Sequence, residues 1–344
     1  MGATSKPTLR NRRHGRRWLW LLLLSAPVAV PPAHGQTCQS AADMEASVRS
    51  ALETTAKRYF DMSARGDTAG LRQNSIATVA ANFAGIENAV KENQPAFAGA
   101  QATVRPPFLL TAEGTEPLAR AEFLCGIFGR SGQTKDSAGF VLTNLPPGKY
   151  GVTILDIHGG RTAMTLTLIL QQANTDWRLA GFYARSSQAA GHDAAWYIQR
   201  ARDFKAKSQN HNAWLYFREA VSLSAPVDFM STLATDKLYD EIQAVQPADV
   251  PANGKAMDLS AGGETCHVTD FFPLPVGNDL HVVVKYQAVD VSDTAHAFQE
   301  NIALIKALVA EFPELREAFA GVVARAVEPS GHDYGTLLAM KEIK

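Results

Sequence analysis

Residues 162–187 read TAMTLTLILQQANTDWRLAGFYARSS, and the spacing of their apolar side chains decides the fold. In TLTLIL, Leu166, Leu168 and Leu170 recur at every second residue, which puts them on one face of a strand. In WRLAGFY, Trp177, Leu179, Gly181 and Tyr183 share a face, and Arg178 points the other way. The polar connection 171–176 joins the two runs into an antiparallel hairpin. Gly181, set among bulky neighbours, marks a bulge or a close backbone approach, a device that bends a sheet around a helix.

Upstream of the hairpin the same grammar continues. ATVRPPFLLT, LARAEFLCGIF, SAGFVLTNL and KYGVTILDI are short β-branched or aromatic runs separated by Gly, Pro, Asn and Asp clusters. NLPPGKY is a turn, because paired prolines fix φ and Gly148 supplies a permissive backbone. Before residue 102 the period changes. Val48, Leu52, Ala56, Tyr59 and Phe60 recur at spacings of three and four, so the first segment is helical. Gly66 ends that helix, Asp67 caps a second one through Leu71, and ATVAANFAGIENAVKEN continues the helical text.

Helices followed by a curved antiparallel sheet that closes on a W-x-L-x-x-F/Y strand resemble the nuclear-transport-factor-2-like cone, the cystatin-like α+β roll. The resemblance spans about residues 41–187. It is carried by YFDMSARGDTAGL (59–71) and TDWRLAGFYAR (175–185). It implies a sheet wrapped around the first helix, and it leaves function open among enzymes, carriers and assembly modules.

Downstream, GHDAAWYIQRARDFKAKSQNHNAWLYFREAVSLSAP reads as two helices about a polar turn. Tyr197, Ala201, Phe204, Ala213, Phe217, Ala220 and Pro226 make it resemble a tetratricopeptide unit, although Arg200 departs from the usual Leu. A third helix is expected over DFMSTLATDKLYDEIQAV, with no repeat beyond it. QPADVPANGKAMDLSAGG is a linker by composition. The remainder reads strand, strand, helix, hairpin. The expected architecture is therefore α+β: a signal peptide (1–35), a cone-like domain (36–187), a tetratricopeptide-like helical segment (188–246), a linker (247–263) and a small C-terminal α+β domain (264–344).

Lys6, Arg10, Arg12, Arg13, Arg16 and Arg17 precede the apolar run WLWLLLLSAPVAV at 18–30, which is short for a membrane span and reads as a secretory signal cleaved after Gly35. Cleavage leaves 27 Lys and Arg against 34 acidic side chains, a charge of about −7 that excludes nucleic acid as a partner. No stable membrane span is expected after cleavage, and the location is extracytoplasmic, periplasmic or secreted. Cys38, Cys125 and Cys266 are too few for a disulfide scaffold and too scattered for zinc, so one pair bonds at most in an oxidising compartment.

The chemistry-bearing motifs are sparse. The chain holds no nucleophile elbow, phosphate-binding loop, dinucleotide fingerprint or zinc-protease helix, and no catalytic residue, metal site or cofactor is expected. Asp156 and His158 share a strand face with Tyr150 and resemble an acid–base pair only if the sheet encloses them. The two GHD segments, 191–193 and 331–333, read as turn and helix-start chemistry. A ligand pocket is expected between the first helix and the curved sheet, lined by Tyr59, Phe140, Tyr150 and Trp177, with Asp156 and His158 as further ligand-binding candidates. The expectation is an exported, non-catalytic envelope protein that binds a protein partner or a small apolar ligand. The alternative is a cone-fold isomerase, dehydratase or hydrolase with its site in the first domain.

Overall fold

The computed structural model describes residues 35–127, 133–252 and 254–344, so the basic and apolar segments assigned to the signal, residues 1–34, lie outside the described residues. Strand β1 (Gln36–Gln39) leads into helix α1 (Ala46–Ala64), which buries Leu52, Ala56, Tyr59 and Phe60 at the expected helical spacing. Asp67 caps α2 (Thr68–Gln73), its carboxylate accepting the Gly70 N–H at 2.8 Å. Helices α3 (Ala77–Ala81) and α4 (Ala84–Phe97) complete the helical part. Strands β2 (Gln101–Val104), β3 (Phe108–Ala112), β4 (Leu118–Cys125), β5 (Ala138–Leu145), β6 (Gly148–His158), β7 (Met164–Ala173) and β8 (Asp176–Ser186) follow.

These strands divide between two sheets. Six form an antiparallel sheet in the order β1-β3-β6-β7-β8, with β2 paired to the C-terminal half of β6. Strands β4 and β5 pair with each other in a separate sheet. The turn in NLPPGKY carries the chain from one sheet to the other: Pro146 and Pro147 have no N–H to offer a ladder, and Gly148 takes φ 152°.

The six-stranded sheet is covered on both faces. Leu52, Tyr59 and Phe97 of the helices pack against Leu155, Leu166, Leu168, Leu170, Trp177 and Leu179. The approach is so close that a Cβ on Gly151 would lie 2.2 Å from Leu52 Cδ2. On the opposite face Phe123 and Phe140 meet Phe108, Leu110, Tyr150 and Val152, and the Phe108 and Phe140 rings sit edge to face at 5.2 Å.

The β7–β8 hairpin forms as the alternation requires, with two corrections. Its turn is only Asn174 and Thr175, Asn174 adopting φ 55°, so the strands run further than the polar text of 171–176 implies. Ile169 pairs with Gly181 but Leu170 pairs with Leu179, which leaves Ala180 as a bulge. The extra residue inverts the alternation beyond it. Trp177 and Leu179 face the helices before the bulge and Phe182 does so after it, whereas Tyr183 turns to the other side and is 41% exposed.

The second half begins with β9 (Gln188–Ala189) and β10 (His192–Asp193), a tight hairpin through Ala190 and Gly191. Asp193 then caps α5 (Ala194–Ala206), and α6 (Asn210–Ser224) packs against it. Met230 to Thr232, expected to open the third helix, is instead strand β11 (Met230–Thr232), paired with β5. The free edge of β5 supplies partners that a first helical turn lacks, and the helix starts only at a Thr232–Thr235 capping box as α7 (Leu233–Val245). The segment expected to be wholly helical therefore completes the three-stranded sheet.

Strands β12 (Met257–Ala261), β13 (Glu264–Val276) and β14 (Asp279–Gln287) are followed by α8 (Thr294–Glu311), α9 (Leu315–Ala318), β15 (Gly321–Val327) and β16 (Asp333–Ala339). Their sheet is ordered β12-β13-β14-β15-β16, and α8 crosses over between the one parallel pair, β14 and β15. The linker expected over 247–263 is corrected in part. Met257 to Ala261 is a sheet strand, with Leu259 and Ala261 buried, and Val250 is buried as well. The Pro, Ala and Gly composition masks the alternation of Met257, Leu259 and Ala261. Tyr197, Phe204 and Phe217 of the helices share one core with Phe271, Val282, Val284, Leu304 and Leu308, so no break separates α5–α7 from this sheet.

Cys38 on β1 and Cys125 at the end of β4 form a disulfide with Cα atoms 5.0 Å apart, tying the two N-terminal sheets together, and Cys266 is free. Such a bond fits an extracytoplasmic location. Among the described residues no helix is long and apolar enough to cross a membrane. The chain is mixed α+β with several antiparallel sheets, none closed into a barrel.

Candidate functional site

The six expected site residues do not line one pocket. Tyr59 is fully buried on the helix-covered face, where its single O–H lies between the carbonyls of Trp177 at 2.9 Å and Asn74 at 3.1 Å and donates to them as a shared bond. Burial pushes its ionisation up, opposed by the neighbouring Arg58. Trp177 is buried beside it, and Leu52 and Leu170 fill the space in which a ligand was expected. Phe140 and Tyr150 lie on the opposite face of the six-stranded sheet, packed together, with the Tyr150 hydroxyl donating to Pro146 O at 2.7 Å. Between the first helix and the sheet, packed side chains surround Tyr59, and a hollow of about 480 Å³ lies at the hairpin end, bordered by Trp177 with Ser47, Thr54 and Arg58 of α1 but by none of the other five expected residues.

Asp156 and His158 share a face of β6, as their spacing requires, but do not act on each other. Arg105 binds Asp156 in a fork, Nε to Oδ2 at 2.9 Å and Nη2 to Oδ1 at 2.6 Å. His158 is exposed at the strand end. With both carboxylate oxygens held by a guanidinium, no acid–base pair is assembled.

The fork points to a cavity that the sequence pattern did not reveal. In VRPPF, Pro106 and Pro107 cannot donate to a ladder, so the chain leaves β6 after β2 and returns to it at β3. The gap along β6 falls at Ile154, whose carbonyl still accepts the Arg105 N–H at 2.8 Å. A hollow of about 360 Å³ opens there. Phe108, Pro106 and Ile154 wall it from the six-stranded sheet, Met230 and Thr232 from β11, and Ser40 to Ala42 from the segment after β1. Arg49, Arg105, Lys135 and Asp136 supply its charge. Arg49 reaches in from α1 and donates to Ala41 O at 3.3 Å, and Lys135 lies 3.2 Å from Asp136. The hollow near Arg72, Phe83 and Arg178 is larger, about 690 Å³, but more open to solvent.

Arg49, Arg105 and Met230 escaped detection because no local motif marks them. Arg49 lies on an ordinary helix, and Met230 reaches the cavity only through the unforeseen pairing of β11 with β5. The proline pair was visible as an interruption, and an interrupted strand beside a long β6 was the one available signal.

Two other polar features stand in the second half. His211 presents Nδ1 to Glu314 at 2.7 Å and Nε2 to Asp249 at 2.9 Å, and its ring lies 4.1 Å from that of Phe312, so it clamps α6 to the segments around it. Glu219 on α6 is 7% exposed, and burial pushes its carboxyl up to about 7. Of the GHD segments, 191–193 is a turn and a helix cap, whereas 331–333 is a turn whose Asp333 begins β16 and pairs with Arg325. No cluster of three or more His, Cys, Asp or Glu side chains suited to a metal occurs among the described residues. No family model, curated protein or solved structure matches the chain.

Proposed function

We propose that the protein is an exported, non-catalytic binding protein that takes a small apolar ligand into the cavity at the β2–β3 break. The supporting observation is the cavity itself, with an apolar wall of Phe108, Pro106, Ile154 and Met230 and a few convergent polar groups. That is the usual composition of a small-molecule site, and about 360 Å³ is near the small end of the usual range of roughly 300–1,000 Å³. Export is supported by the basic, then apolar, start of the chain and by the Cys38–Cys125 disulfide. Binding without turnover accords with the charges at the cavity, since Asp156, paired with the lining Arg105, is held by its guanidinium, and Asp136 is an exposed carboxylate at the rim. The resemblance to the cone superfamily, which includes carriers, belongs to the same proposal.

The test is to fill the cavity. Met230→Trp should abolish binding of small apolar compounds that raise the melting temperature of the parent protein, with the circular dichroism spectrum unchanged. Undiminished binding in a folded Met230→Trp protein contradicts the proposal.

A further inference from the structure

We infer that the cavity selects a short-chain amphiphile with a carboxylate head, held by Arg49 and Arg105 at the mouth while its tail lies against Ile154, Phe108 and Met230. This inference rests on the reading of the cavity as a small-molecule site and adds what that ligand must carry. The charges decide it. Three cations, Arg49, Arg105 and Lys135, line the hollow, against one lining carboxylate, Asp136. Asp156 cancels part of Arg105, which still leaves the positive charges one ahead.

The cations are not equivalent. Arg105 is immobilised, because Nε and Nη2 are both spent on Asp156 and its backbone N–H is spent on Ile154 O. Its Nη1 keeps two N–H donors uncommitted to Asp156, on a residue that lines the cavity. Arg49 is tethered by a single 3.3 Å contact from Nη1 to Ala41 O, so its Nη2 and Nε donors are free to turn toward a ligand. Two guanidinium groups with donors to spare, one rigid and one adjustable, suit a planar two-oxygen anion better than a hydroxyl or an ammonium group. Lys135 is 89% exposed at the rim and contributes attraction more than placement. The opposite sign is disfavoured: an ammonium head would face three cations and one lining carboxylate, Asp136, which already lies 3.2 Å from Lys135.

The tail requirement follows from the wall. Ile154 and Phe108 are buried in the sheet, Met230 is half-buried, and none of the three offers a hydrogen bond. A head alone, such as acetate, would leave that surface wet and gain only screened charge.

The experiment is calorimetric titration of the full mature chain with octanoate, octanol, octylammonium and acetate at low salt. Octanoate should bind at least tenfold more tightly than octanol, and acetate and octylammonium should show no saturable binding. Arg49→Gln, a change on an exposed helix position, should weaken octanoate about tenfold and leave octanol unchanged. Octanol binding as tightly as octanoate, or an Arg49→Gln protein with unaltered preference, overturns the carboxylate inference while leaving a small-molecule cavity standing. Binding of acetate as tight as octanoate overturns the role of the tail. Failure of all four probes overturns the cavity reading as well.

Discussion

The two faces of the six-stranded sheet are covered by different means, and the difference explains where a ligand fits. On one face, long side chains from α1 and α4 enter the spaces left by small ones, as Leu52 does over Gly151, and a fully buried tyrosine anchors the hairpin through the Trp177 carbonyl. On the other, a second sheet rests on Phe108, Tyr150 and Val152, and a hollow remains where the prolines break the pairing along β6. A helix can slide along its axis until its ridges fill a groove, whereas two sheets meet in registers set by their own ladders. An apolar-walled hollow of about 360 Å³ is left at the edge between the sheets, whereas the larger hollows on the helix-covered side, near Phe83 and near Thr54, are more open to solvent.

The largest effect that can break this comparison is on the helix-covered face. Trp177→Ala should cost about 3–5 kcal/mol in urea unfolding, because its buried ring packs in one core with Leu170 and Leu179. A mutant as stable as the parent would mean that this face is loosely filled. Next comes the strand-covered face. Replacing Cys38 and Cys125 together by Ala should cost about 2–4 kcal/mol, since the bond closes a loop with sequence separation 87, and should weaken ligand capture because it staples the sheets beside the cavity.

A third measurement lies away from both faces. Glu219 has its carboxyl raised from 4.5 to about 7 by burial, so the folded state favours the protonated form. Its contribution is full below pH 4.5 and is lost as pH rises through about 7. Glu219→Gln should accordingly match the parent at pH 4 and exceed it by about 2–3 kcal/mol at pH 8.5, with the cavity unaffected. A gain that does not depend on pH would show that the carboxyl is not buried in its charged form. The smallest effect is that of Gly151→Ala, about 1–3 kcal/mol from overpacking against Leu52, read as a shift in melting temperature.

Much of the fold was legible because period survives in the text. The helical spacing of Leu52, Ala56 and Tyr59 and the alternation in TLTLIL each report the face that is buried. What the text hid is of two kinds. A bulge at Ala180 costs one residue and leaves no mark except the nearby Gly181, yet it sends Tyr183 to the opposite face. Sheet membership is likewise silent: NLPPGKY reads as a turn whether its strands pair with each other or enter different sheets, and MST at 230–232 is too short to show a period. The candidate site was less legible than the fold. Tyr59, Tyr150, Phe140 and Trp177 are buried aromatics of the packed core, and Trp177 also borders a hollow beside α1. Asp156 alone led toward the cavity, through Arg105.

The most direct test of this account is amide chemical-shift mapping of the folded protein titrated with octanoate. Progressive shifts are expected at Ala41, Arg105, Ile154 and Met230, with Tyr59 and Trp177 unmoved. Shifts centred on Tyr59 and Trp177, with the β2–β3 break silent, would place the ligand on the helix-covered face and contradict it.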